Sequence, residues 1–145
     1  MLKRLTILII DAEKNSCDEM QEFLQCEGFN VFPARSAAEG NHLLQNLPID
    51  ILILDICLPD ANGLELCKEY KSSYPKLDVI VISGYGDMGS VIQAMRLGAL
   101  DFLRKPIRQK DIRSAIERSK KIQSTERTIF LSNDKDPLPI IPLPN

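Results

Sequence analysis

Short apolar runs, none long enough for a helix, alternate along this chain with segments of helical period. The runs are LTILII (5–10), NVFPA (30–34), DILIL (50–54), DVIVIS (78–83) and ALDFL (99–103). A run without polar alternation suits a strand covered on both faces, which arises when helices pack above and below a parallel sheet. The intervening segments supply those helices. Lys14–Glu27 sets Cys17, Met20, Phe23 and Leu24 at helical spacing and stops at Gly28. Ser36 and Glu39 form a capping box for a helix through Leu47, ended by Pro48. Asn62 and Gly63 open a third helix to about Lys71, and Asp87 caps a fourth carrying Val91, Ile92, Met95 and Leu97 up to Gly98. The fifth, about Gln109 to Ile122, lines up Ile112, Ala115, Ile116 and Ser119 on one side. This alternation predicts an α/β fold, a doubly wound five-stranded parallel sheet with five helices and right-handed crossovers.

Composition agrees and narrows the function classes. At 145 residues, 44% hydrophobic and 26% charged, the chain has the make-up of one soluble domain with its own core. A net charge of -2 argues against direct nucleic-acid binding through phosphate neutralisation. No stretch reaches the ~20 apolar residues of a membrane span, and the basic-apolar N-terminus lacks a cleavage site, so a cytoplasmic protein is expected. Cys17, Cys26, Cys57 and Cys67 form no CxxC pair, and His42 is the single histidine, so reduced thiols are expected rather than a metal set. The last nine residues hold Pro137, Pro139, Pro142 and Pro144. They divide the chain into a domain over 1–123 and a Pro-rich tail or linker over 124–145.

In doubly wound sheets the ligand site lies at the carboxyl ends of the strands. Asp11, Asp55, Ser83 and Lys105 all fall there. Asp55 follows ILIL and precedes the turn ICLPDANG, a setting for a rigid, partly desolvated carboxylate that can act as a nucleophile; a turn or capping aspartate is the plainer alternative. Asp11 adds an oxygen ligand suited to a hard cation such as Mg2+. Ser83 brings a hydroxyl, Gly84 and Gly86 leave room and freedom, and Lys105 brings a compact cation for phosphate oxygens. These are the groups that position and neutralise a phosphoryl group in transfer.

The ordered set Asp11, Asp55 in DICLPDANG, Ser83 in VISGYGD and Lys105 in GALDFLRKPI resembles the receiver domain of two-component response regulators. Over residues 4–122, the wording SGYGDMGSVIQAMRLGALDFLRKP is most similar to receivers of the nitrogen-regulator and nodulation-regulator type. The resemblance implies a flavodoxin-like sheet of strand order 2-1-3-4-5. It implies that Asp55 accepts a phosphoryl group from a sensor histidine kinase or phosphotransfer protein, without enzymatic turnover of a separate substrate. Mg2+ would be held by Asp11, Asp55 and the Cys57 backbone carbonyl, while Ser83 and Lys105 bind phosphate oxygens. Phe102 would be the aromatic switch that moves with Ser83. The face of the fourth helix, fifth strand and fifth helix, about 87–122, would then signal to an output domain, a downstream protein or a second copy.

One position departs from the pattern. Such receivers carry a second acid after the first strand-end aspartate, and here it is Ala12, which implies weakened Mg2+ binding. Glu13 is either a substitute ligand or an ordinary surface residue. Phe102 lacks the tyrosine hydroxyl often found there, and Tyr85 is bulky enough to shield an acyl phosphate. Cys57 is read as packing rather than redox-active. His42, and the run Arg113, Arg118, Lys120 and Lys121, are read as surface groups. Two rival readings remain: a pseudo-receiver that binds partners without phosphorylation, and a haloacid-dehalogenase-like phosphatase. The latter needs an aspartate where Cys57 stands. A stand-alone receiver and a piece of a longer regulator are both compatible with the tail.

Overall fold

The structure, a computed structural model, describes residues 4–84, 88–119 and 121. Strands β1 (Thr6–Ile10), β2 (Asn30–Ala34), β3 (Ile51–Asp55), β4 (Asp78–Ser83) and β5 (Asp101–Arg104) alternate with helices α1 (Lys14–Cys26), α2 (Ala37–Asn46), α3 (Gly63–Ser73), α4 (Met88–Arg96) and α5 (Gln109–Glu117). The sheet is wholly parallel, in the order β2-β1-β3-β4-β5. The α/β expectation, with its five strands and five helices, is what the chain folds into.

Side chains alternate faces along a strand, so each apolar run feeds two cores. Ile7, Ile9, Ile51, Ile53, Ile80 and Ile82 meet Met20 and Leu24 of α1 and Ile112 and Ile116 of α5. Leu8, Ile10, Leu52, Leu54, Val79 and Val81 meet Leu44, Leu64, Cys67 and Ala94 on α2, α3 and α4. The central strands β1 and β3 are buried along their whole length, which is why their sequences carry no polar alternation. All four cysteines are free thiols, and burial pushes that of Cys17 up to about 11.

Helix ends follow local chemistry. Gly28 and Gly98 adopt φ of +99° and +98°, the left-handed geometry that closes α1 and α4. Ser36 Oγ accepts from the Glu39 amide, and Asn62 Oδ1 accepts from Leu64 and Glu65. The Asp87 cap lies outside the described residues, as do Tyr85, Lys120 and the tail.

Three expectations need correction. β5 begins at Asp101 rather than Ala99, because the Ala99 amide is still used to close α4 on Ala94 and pairing with β4 starts with Leu100. The helical assignment of α5 ends at Glu117 rather than near Ile122. There the Arg118 and Ser119 amides tighten onto Ala115 and Ile116, and the Ser119 hydroxyl donates to Asp78. The described members of the C-terminal basic run are ion-paired rather than a free solvated face. Arg113 is half-buried, paired with Glu27 and stacked over Phe23; Arg118 pairs with Asp101, and Lys121 with Asp78.

The helices are unequally packed. α4 buries only Ala94, while Met88, Ile92 and Met95 are 71%, 45% and 45% exposed. At the start of α3 the fit is tight. A Cβ on Gly63 would stand 2.3 Å from Ile56 Cα and 2.5 Å from the Asp55 carbonyl oxygen. Gly63→Ala is therefore expected to push the backbone that carries Asp55 and to cost about 1–3 kcal/mol, checked by urea unfolding.

Candidate functional site

Parallel strands all end on one edge, and on this edge the chain places its ionisable groups. Asp11 follows β1, and its amide donates to the Ala34 carbonyl of β2; its side chain is fully buried. Asp55 is the last residue of β3 and 4% exposed. β1 and β3 are neighbours in register, Ile10 beside Leu54, so Asp11 and Asp55 leave the sheet side by side on backbones about one strand spacing apart, ~4.8 Å.

Lys105 enters from the sheet edge. Its amide donates to the Ser83 carbonyl, which sets its depth, and a cis peptide joins it to Pro106. From there the long side chain crosses above β4 and sets Nζ 2.9 Å from Asp11 Oδ1 and 2.8 Å from Asp55 Oδ2. Glu13 Oε1 lies 3.6 Å from the same Nζ. Local turns orient both carboxylates: the Glu13 amide donates at 3.0 Å to the same Asp11 Oδ1 that faces Nζ, and the Cys57 amide donates at 2.9 Å to the other Asp55 oxygen, Oδ1.

These contacts separate two chemically identical groups. Burial disfavours ionisation of Asp11, but hydrogen bonds led by Lys105 outweigh it and hold its carboxyl below the usual value. For Asp55, burial with the Asp11 charge beside it outweighs Lys105 and the Cys57 amide, and the carboxyl is raised. Burial opposes the charge of Lys105 too, yet the two carboxylates raise its pKa. Lys105 therefore stays charged at neutral pH. Among the described residues, Asp11 Oδ2 is buried without a hydrogen-bond partner.

The other expected residues fall around this cluster. Ser83, fully buried, ends β4 between Asp55 and Lys105 in the strand order. Phe102, in β5, pairs with Val81 and packs half-buried against the core under α2, α3 and α4. Cys57 is exposed and bridges to Asn62, which closes the loop after Asp55. His42 is exposed on α2, beside Asn46. The shielding role read for Tyr85 lies outside the described residues.

Two contacts carry no signal in the local sequence. Asp60, in the loop after Asp55, accepts from the Ala37 and Ala38 amides at 2.9 and 3.1 Å and caps α2 across 23 and 22 residues. Those amides hold its carboxyl below the usual value. Arg35, the residue after β2, donates from Nε to the Ala12 carbonyl at 2.9 Å and from Nη2 to the same oxygen. Among the described residues, no three His, Cys, Asp or Glu side chains gather at metal-ligand spacing. None of the described helices is long and apolar enough to cross a membrane.

Comparison with known proteins gives the same reading from another direction. Residues 7–117 match the family model described as the response regulator receiver domain. The response regulator protein PilR of Pseudomonas aeruginosa is 30% identical over 125 residues, covering 86% of this chain and 28% of that one. A putative NtrX-like response regulator of Rickettsia felis is 29% identical, covering 87% and 27%. This chain thus spans about a quarter of the length of these relatives. Among solved structures, a CheY-like response regulator receiver domain protein from Methanospirillum hungatei superposes with a TM-score of 0.77 at 27% identity, covering 87% of this chain and 99% of that one.

The ionisation pattern fixes how stability should respond to losing the cation. Asp11, with its lowered pKa, stabilises the fold above the usual carboxylate range and loses that contribution as pH falls. Asp55, with its raised pKa, is relieved by protonation. Lys105→Met leaves two buried carboxylates without their shared partner and should cost about 3 kcal/mol at pH 7. Urea unfolding across a pH series should show that penalty shrinking below about pH 5 as the carboxylates protonate. A penalty independent of pH would assign the role of Lys105 to packing.

Proposed function

This chain belongs to the response regulator receiver domain family, and we propose that it acts as a phosphoacceptor switch, with Asp55 taking a phosphoryl group from a histidine kinase or phosphotransfer protein. The observation that carries this reading is the bridge from Lys105 to Asp55 and Asp11, a cation already in contact with the acceptor carboxylate. An Asp55 oxygen attacks phosphorus, the bond from phosphorus to the donor nitrogen breaks, and the donor leaves with the electron pair. Lys105 then has phosphoryl oxygens to bind in place of the carboxylate oxygen it loses, and the Ser83 hydroxyl binds another.

The residues present fit a divalent cation of modest affinity. The buried, unpartnered Asp11 Oδ2 asks for a positive partner, and Asp55 and the Cys57 carbonyl supply further oxygen ligands. Mg2+ needs only one or two carboxylates alongside water and phosphate oxygens, and when bound it would neutralise charge on the phosphoryl group. Ala12 contributes no oxygen side chain, so the set is one acid short of the family pattern.

Readout follows from the uneven packing. Phe102 packs on the α4 side of the sheet, where the helix is held by a narrow stripe and its apolar residues are already exposed. Movement of Ser83 toward a phosphate would draw Phe102 inward and reshape the surface of α4, β5 and α5. That surface would meet an output domain, a downstream protein or a second copy of the chain. The described residues and the charge balance support a cytoplasmic protein without direct nucleic-acid contact.

Incubation with phosphoramidate or acetyl phosphate and Mg2+, followed by intact mass, should add one phosphoryl group that disappears in Asp55→Asn. Absence of the adduct in the parent and in Ala12→Asp alike would favour phosphorylation-independent partner binding. Steady turnover of an aryl phosphate would instead point to a phosphatase. Ala12→Asp is expected to tighten Mg2+ about tenfold or more, measured by calorimetric titration; unchanged affinity would remove Ala12 as the cause of weak binding.

A further inference from the structure

The corner of the site where the family pattern has an acid differs here in two respects. Ala12 lacks the carboxylate, and the side chain of Arg35 is bound to the Ala12 backbone carbonyl. The placement is set by the backbone: the Asp11 amide donates to the Ala34 carbonyl, so Arg35 leaves β2 level with the Asp11–Ala12 peptide. Its guanidinium then closes on the Ala12 carbonyl through Nε and Nη2. Two donors on one oxygen hold a planar, permanently charged group in a defined place, which a lysine could not reproduce. Arg35 is exposed, so the charge stands in solvent at the Ala12 carbonyl, one residue from Asp11, rather than in the core. Its field reaches inward, since the Arg35 charge lowers, and the Asp11 charge raises, the pKa of the buried Cys17 thiol.

A second resident cation changes the charge available to a metal ion. Asp11, Asp55 and the exposed Glu13 together carry three negative charges when ionised, and Lys105, paired with all three, already offsets one of them. What remains must attract a doubly charged ion past a fixed guanidinium. We propose that Arg35 is a functional part of this site, a fixed cation that competes electrostatically with the divalent metal ion. On this view the chain binds metal weakly for two coupled reasons, the carboxylate missing at Ala12 and the charge added at Arg35. An aspartate placed at position 12 would gain Arg35 as an ion-pair partner. Arg35 would therefore blunt part of the metal affinity that such a carboxylate restores.

The inference rests on the metal-assisted phosphoacceptor reading, and metal affinity tests it directly, without phosphorylation. Mg2+ and Mn2+ would be titrated calorimetrically into the full chain and into Arg35→Gln, Arg35→Lys, Ala12→Asp and Ala12→Asp with Arg35→Gln. Arg35→Gln should tighten the metal roughly three- to tenfold at low salt, the scale for one unit charge acting on a divalent ion through a water-like dielectric. The gain should fade in 0.5 M salt, at roughly half the Debye length of physiological salt. Arg35→Lys keeps the charge and loses the two-donor grip on Ala12, so it should stay close to the parent. Ala12→Asp should gain more affinity in the Arg35→Gln background than in the parent. The proposal is overturned if Arg35→Gln stays within twofold of the parent, or if Arg35→Lys tightens the metal as much as Arg35→Gln does. If no variant binds either metal, Ala12→Asp included, the metal-site reading falls and this inference with it.

Discussion

Two carboxylates on adjacent strand ends, both nearly without solvent, cannot remain ionised side by side unless a cation stands between them. Lys105 is that cation, and much of the rim is arranged so that it can be. The strand order puts Asp11 and Asp55 next to each other and Lys105 two strands beyond Asp55. Its amide bond to Ser83 sets how far above the sheet the side chain starts, and only a long side chain spans the gap. The turns at Glu13 and Cys57 then fix which oxygen of each carboxylate faces the ammonium. The polarity of the site follows: Asp11 is held as the anion, and Asp55 is the less comfortable charge and so the one with most to gain from new partners.

The rest of the molecule separates rigid from yielding parts. β1 and β3 are buried throughout and covered by α1 and α5 on one face, which keeps the acid pair in register. β5 stands at the sheet edge, with its residues half-buried or exposed, and α4 beside it buries a single alanine. Few buried contacts mean low local stability, so a change of partners at Lys105 or Ser83 meets least resistance there. The proposed direction of signalling, from the strand ends toward α4 and β5, follows this gradient in packing.

Much of the fold was legible because it rests on local rules. Short continuous apolar runs marked the strands, Gly28 and Gly98 marked helix ends that need a positive φ, and Ser36 and Asn62 marked helix starts. The strand-end residues of the site were legible too, since parallel strands must finish on a common edge. What escaped was a set of contacts between residues distant along the chain. Asp60 caps α2 over a separation of 23 residues, Arg35 reaches the Ala12 carbonyl over the same separation, and Glu27 pairs with Arg113 over 86. No pattern in a window of ten residues encodes such meetings. The boundary shifts at β5 and α5 lie where local amide bonds close a helix beside a contact distant in sequence, Leu100 on Val79 and the Ser119 hydroxyl on Asp78.

Taken alone, the amino-acid order determined the alternation of strands and helices, the side of the sheet on which Asp11, Asp55, Ser83 and Lys105 finish, and the absence of an acid at position 12. Those are consequences of residue type and spacing. The tertiary structure decided which of these groups touch, which carboxyl is raised and which lowered, and that Arg35 binds the Ala12 carbonyl. The reason is physical: pKa values and ion pairs depend on distance and desolvation, and both arise only when strands distant in sequence are assembled into one sheet.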